Sequence, residues 1–355
     1  MAIDWTKSMQ QTYEFYTVDP NSWTNVAKLD AITSGSINRD SENELLESAS
    51  FETTEAIDEC YVRVYLICIQ NGVKYEPKPL GTFMVQTPST SFDGRKKTIT
   101  MDAYSPLIEL KDSKPPYGYA LMTNDPVITS AADIIFDNCR APIVRTSSTE
   151  TLSDDFVADF DNDTWLSFLT DLVSSVGYSL GLDEMSRVIF TVKQDATATT
   201  PIWTYTDDNS SILYPEVTLE KDLYGIPNVV EVLYSSDNGF KLGRAVNKDP
   251  GSITSTVARG REVAYRVNNP EDLINPTQDQ INNYAEELLR SMSVLENTIT
   301  YTHGYCPVRV GDCVLLNYER AGLMNIKAVV KSQTIKCTPG TEVSETAVYT
   351  TKLWG

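Results

Sequence analysis

The run Tyr61–Ile69, YVRVYLICI, is too short and too rich in β-branched and aromatic residues for a helix, and patterns of its kind recur almost from end to end. Residues 81–105, GTFMVQTPSTSFDGRKKTITMDAYS, read as a hairpin. Its strands are expected at Thr82–Thr87 and Lys97–Tyr104, joined around Asp93-Gly94, a dipeptide suited to tight turns. Upstream, LDAITSGSINRDSENELLESASFETTE alternates polar and apolar residues, as strands facing solvent on one side do. Later strands are expected in NVVEVLYS (228–235), NTITYTHGY, CVLLNY, NIKAVVKSQTIK and ETAVYTTKLW. The expected class is therefore mainly β with inserted helices.

Three segments carry the helical period. TSAADIIFDNCR (129–140) is one. Thr164–Val176 is the second, with Trp165, Phe168, Leu169, Leu172 and Val176 on one face and Gly177 placed to end it. Thr277–Leu295 is the third: Thr277 and Gln280 form a capping box, and Ile281, Tyr284, Ala285, Leu288, Leu289, Met292 and Leu295 line one face. A short hairpin after Gly177 turns at Asp183–Ser186. With SKPPYGY (113–119) as the first break, three parts are expected. They are 1–115, a first β-barrel-like domain; 116–215, a small acidic α+β segment; and 216–355, a second β domain carrying helix 277–295.

The charge narrows the function classes. The chain has 49 Asp+Glu against 29 Lys+Arg, a formal net charge of −20, and one histidine. Residues 116–195 hold thirteen acids and four bases, a net of −9. Such a surface argues against general nucleic-acid binding, which needs clustered Lys and Arg. One histidine removes most zinc enzymes and every Ser-His-Asp or Cys-His arrangement not built on His303. The start, MAIDWTKSMQQTYEF, lacks the pattern of a signal peptide, and no run approaches the ~18 apolar residues of a membrane span. The six cysteines show no CxxC spacing and read as reduced and buried, the usage of a protein folded in a cytoplasm.

Few residues offer chemistry. Asp159, Asp161 and Asp163 alternate like the start of an EF-hand loop. Thr164 stands where that loop needs glycine and Thr170 where it needs glutamate, so Asp163 is instead read as the cap of the following helix. His303 lies three residues before Cys306, but i and i+3 on a strand point to opposite faces, and His303 is read as a partly exposed strand residue. No Walker A, GxGxxG, HExxH or GxSxG motif occurs. No catalytic residue, metal site or cofactor is expected.

Two hairpins resemble each other. Residues 83–104 and 328–349 share a strand–turn–strand pattern, with Val85 and Val330, and Tyr104 and Tyr349, each 245 residues apart; Gly94 and Gly340 lie 246 apart. Taken with SGSINRD, with LGTFMVQTPSTSFDGRKKTITMDAYSPLIEL, with DFDNDTWLSFLTDLVSSVGYSLGLDEMSRVIF and with AEELLRSMSVLENTITYTHGYCPVRVGDCVLLNY, the order of elements resembles the baseplate hub proteins of bacteriophage tails and tail-like particles. That resemblance implies a homotrimer in which two barrel-like tube domains per subunit make a pseudo-sixfold ring. The ring would join the tail tube or distal tail protein above to a spike or tail fibre below, with the tape measure protein as a further neighbour. Its place would be the virion tail, after folding in the bacterial host cytoplasm. Hubs that carry a long C-terminal enzymatic extension are known in this family; the sequence stops at Gly355, so no lytic activity is expected. Two other readings stay open. One is a carbohydrate-binding or glycoside-cleaving β protein, marked by a tryptophan-bearing cleft with two carboxyls. The other is a distal-tail or baseplate-wedge adaptor with a single barrel domain.

Overall fold

The computed structural model describes residues 2–95, 97–192, 199–236, 239–270 and 273–354. They form a mainly β protein with inserted helices, in two compact units. The first unit comprises Met1–Glu216 and Tyr301–Thr346, the second Val217–Thr300 and Ala347–Gly355.

The first unit is built on a long antiparallel ladder. From Leu323–Lys336 it runs through Ile32–Asp40, Glu47–Thr53, Lys97–Tyr104, Lys78–Phe92, Cys60–Gln70 and Gln10–Val18 to Asn25–Lys28. Strand order among the described residues is an open path. Cys60–Gln70 is buried at nearly every position, which explains its unbroken apolar run, whereas Glu47–Thr53 buries alternate residues. Phe51 centres the core, edge-on to Phe15 at 5.7 Å and to Phe83 at 6.4 Å. Gly35 is required beside it, because a Cβ there would lie 2.8 Å from the Phe51 ring and 2.9 Å from the Ser50 carbonyl.

A second core in this unit gathers the helices Ile108–Asp112, Val127–Asn138 and Trp165–Ser174 with the hairpin Tyr178–Leu182/Val188–Val192. The expected helix at 129–140 starts two residues earlier. Thr164, not Asp163, caps the third helix: its hydroxyl accepts from Ser167 N, and Ser167 Oγ accepts from Thr164 N. Gly177 ends the segment at φ +77°.

In the second unit, Val229–Ser236 lies between Gly239–Val246, antiparallel, and Ala264–Asn268, parallel. Helix Gln278–Met292 packs on one face through Ile281, Ala285 and Leu289 against Val230, Val232 and Ala245. Its capping box is the expected Thr277–Gln280 pair. The helix approaches so closely that a Cβ on Gly243 would lie 2.6 Å from the Ile281 carbonyl oxygen. All six cysteines are free, Cys60 half-buried and the others buried. No helix among the described residues is long and apolar enough to cross a membrane.

Candidate functional site

The chemistry of the first unit is concentrated in a buried polar chain that crosses its sheet. Arg39 on strand Ile32–Asp40 and Glu47 on Glu47–Thr53 occupy the inward phase of their strands, in step with Ile37 and with Ala49 and Phe51. Arg309 Nη2 donates to Glu47 Oε1 at 2.8 Å and to the Leu182 carbonyl at 3.0 Å. Arg39 Nε lies 3.3 Å from the same carboxylate oxygen, its Nη2 donates to Leu80 O, and its Nη1 donates to Gln333 Oε1 at 2.8 Å. Burial pulls the Arg39 guanidinium down and pushes the Glu47 carboxyl up, while the two arginines draw Glu47 back toward ionisation.

Gln333 carries the chain onward, its Nε2 donating to Glu345 Oε1 at 2.6 Å and to Val308 O. Glu345 Oε2 accepts from Tyr301 Oη at 2.8 Å and Tyr205 Oη at 3.1 Å, and lies 3.2 Å from His303 Nε2. Burial opposes charge on both partners, yet Cys306 and then Glu345 push His303 up to about 10, and His303 foremost holds Glu345 below the usual carboxylate range.

His303 is thus fully buried, not partly exposed as its sequence context suggested. Strand Val294–Gly304 buries Leu295, Asn297, Ile299, Tyr301 and His303 on one face, and the period of two could have located it. The strand then stops at Gly304, and the turn brings Cys306 Sγ to 3.9 Å from His303 Nδ1, against the expectation of opposite faces. As an imidazolium, His303 donates from Nδ1 to Gly304 O at 2.6 Å and from Nε2 toward Glu345, leaving no lone pair to accept the thiol proton. Cys306 itself has no solvent-accessible surface. The network ties the strands that carry Arg39, Glu47, His303, Gln333 and Glu345 to one another.

The Asp183–Arg187 turn of the middle segment is held to the same sheet. Ser186, at φ +54°, accepts from Thr82 N through its hydroxyl at 2.7 Å, and Met185 O accepts from Trp23 Nε1 at 2.9 Å. Asp159, Asp161 and Asp163 lie at the entrance to helix Trp165–Ser174. Asp159 accepts from Asn162 Nδ2 and from Asp161 N, which hold its carboxyl below the usual range, and Asp163 accepts from Asp159 N at 2.7 Å. Among the described residues no group of three or more His, Cys, Asp or Glu side chains is arranged to hold a metal ion.

A groove of about 1500 Å³ opens beside helix Val127–Asn138, lined by Ile128, Ala132, Asp133, Phe136 and Phe190, with Arg140 on its wall. It has no tryptophan in its lining.

The fold has known counterparts. The chain shares its fold with a tail protein from Neisseria meningitidis MC58, over 96% of both chains at 13% identity and a TM-score of 0.64. The 43 kDa tail protein of prophage MuSo2 from Shewanella oneidensis matches over 96% of this chain and 98% of its own, at 12% identity and a TM-score of 0.57. A chain of the Francisella PdpA–VgrG complex matches at 9% identity and a TM-score of 0.56, covering 96% of this chain and 53% of that one. No protein-family model and no curated protein matches the sequence.

Proposed function

We propose that this chain is the structural hub of a phage tail or tail-like particle, located in the baseplate. The observation that carries the reading is the end-to-end likeness to two tail proteins, which spans nearly the whole of each chain rather than one shared module. In this reading three copies make a ring of six similar tube-like parts. Residues 1–115 and 216–355 supply the two parts in each copy, and 116–215 lies at the periphery. A tail tube or distal tail protein stacks above, a spike or fibre base below, and the tape measure protein passes within.

Three features support it. The hairpins Lys78–Phe92/Lys97–Tyr104 and Leu323–Lys336/Glu342–Lys352 both turn on a left-handed glycine, Gly94 at φ +92° and Gly340 at φ +80°. The buried chain from Glu47 to Glu345 ties strands of the N-terminal and C-terminal parts into one rigid sheet, as a load-transmitting ring needs. A trimer of chains at −20 each also disfavours phosphate binding, which suits a channel that DNA passes without being held.

Light scattering on a sizing column, over a range of concentrations, tests the threefold reading. The expected result is a stable mass near three times 39.6 kDa. A stable dimer overturns it.

A further inference from the structure

We propose that the exposed end of the hairpin Lys78–Phe92/Lys97–Tyr104, with Phe92, Arg95 and Lys97, docks in trans on the acidic face of helix Val127–Asn138 in a second copy of this chain. The inference rests on the self-association proposed above and names the surfaces that make it.

The hairpin leaves its sheet. Its neighbours stop early: Cys60–Gln70 pairs with it only as far as Cys60↔Val85, and Glu47–Thr53 only as far as Thr53↔Ile99. The register shifts between Val85 and Thr87, after which the two strands pair with each other out to Phe92↔Lys97. A bulge of that kind turns a strand out of its ladder. Residues 88–95 and 97 are exposed, Phe92 by 69%. A two-stranded ribbon is marginal by itself and presents unpaired edges, so it calls for a partner surface.

The chemistry of the tip selects that surface. Arg95, Lys96 and Lys97 are consecutive cations in a chain of net −20. Neither Arg95 nor Lys97 has an ion pair among the described residues. The complement is an apolar residue flanked by unpaired acids. Helix Val127–Asn138 provides it: Phe136 is 79% exposed, and Asp133 and Asp137, four residues apart, are exposed without ion-pair partners among the described residues. The groove of about 1500 Å³ beside Phe136 leaves room for the Phe92 ring. Of its two arginines, Arg140 is engaged by Glu109 at 3.3 Å and Arg145 stands on the wall. Aromatic contact inside a frame of opposite charges gives both attraction and register.

The test combines cross-linking with charge exchange in the full chain. Phe92→Cys and Phe136→Cys proteins, prepared separately and mixed, should be joined by a short bismaleimide into a species of twice 39.6 kDa that neither gives alone. Arg95→Glu/Lys97→Glu should lower the association constant about ten- to a hundredfold, and adding Asp133→Lys/Asp137→Lys should restore it. A trimer that persists unchanged in the reversed-charge variant, with no mixed cross-link, overturns this docking while leaving the ring intact. A wild-type chain that stays monomeric and uncross-linked also overturns it. So does a variant whose only loss is retention on DNA, which would assign the tip to phosphate.

Discussion

Arg309 and Glu47, 262 residues apart in the sequence, share a 2.8 Å hydrogen bond within one compact unit. Arg39, only 3% exposed, faces the same carboxylate. Removing one member of a buried ion group strands the others, so Glu47→Ala should cost about 3–5 kcal/mol. A drop in melting temperature measures it. If the triad is a lock and not an ornament, Glu47→Ala combined with Arg39→Met should recover part of the loss.

The His303–Glu345 pair predicts a pH signature. His303 keeps its proton in the folded state to about 10 against an ordinary 6.5, so its contribution is complete below about 6.5 and fades as the pH rises to about 10. Glu345 is held below its ordinary 4.5, so its contribution is present above 4.5 and is lost as the pH falls through the depressed value. The pair therefore stabilises most between 4.5 and 6.5. His303→Gln should flatten the stability profile between 6.5 and 10; an unchanged slope in a melting series would assign that titration elsewhere.

In the second unit, Gly243→Ala should force the helix Gln278–Met292 away from its sheet, because the new methyl meets the Ile281 carbonyl oxygen at 2.6 Å. Overpacking of this kind costs about 1–3 kcal/mol. Hydrogen exchange should show lost protection along that helix, with the first unit unaffected.

Both capping boxes are testable in parallel. Thr164→Ala and Thr277→Ala each leave N-terminal amides unpaired and should cost about 1 kcal/mol, whereas Asp163→Ala, one residue outside the cap, should cost less than Thr164→Ala. Thermal melts of the three variants decide the order.

Helices and hairpins were legible because their signals are local. The spacing Ile281–Ala285–Leu289 marks one face of a helix without reference to anything else, and Asp93-Gly94 marks a turn. The cap at Thr164 was missed by one residue, since Asp and Thr are both good caps and only Ser167 completes the box. The buried network was hidden for a different reason. Arg39, Glu47, His303 and Glu345 each sit in phase with apolar inward residues of their own strands, a signal the alternation does contain. What no local pattern supplies is the partner: Arg39 is met by Gln333 and Glu47 by Arg309, each more than 260 residues away in the sequence.

The pairing of Ile32–Asp40 with Leu323–Lys336 also sets a schedule for the ribosome. The early strand emerges with one edge open, and its neighbour follows 283 residues later, about 15–60 s at ordinary rates of synthesis. Throughout that interval a nascent chain offers an unpaired ladder beside the ladders of other nascent chains on the same message. Edge-to-edge pairing between chains is therefore open before the native pairing is. Slower elongation or a lower expression temperature should therefore change the soluble yield more than the final stability.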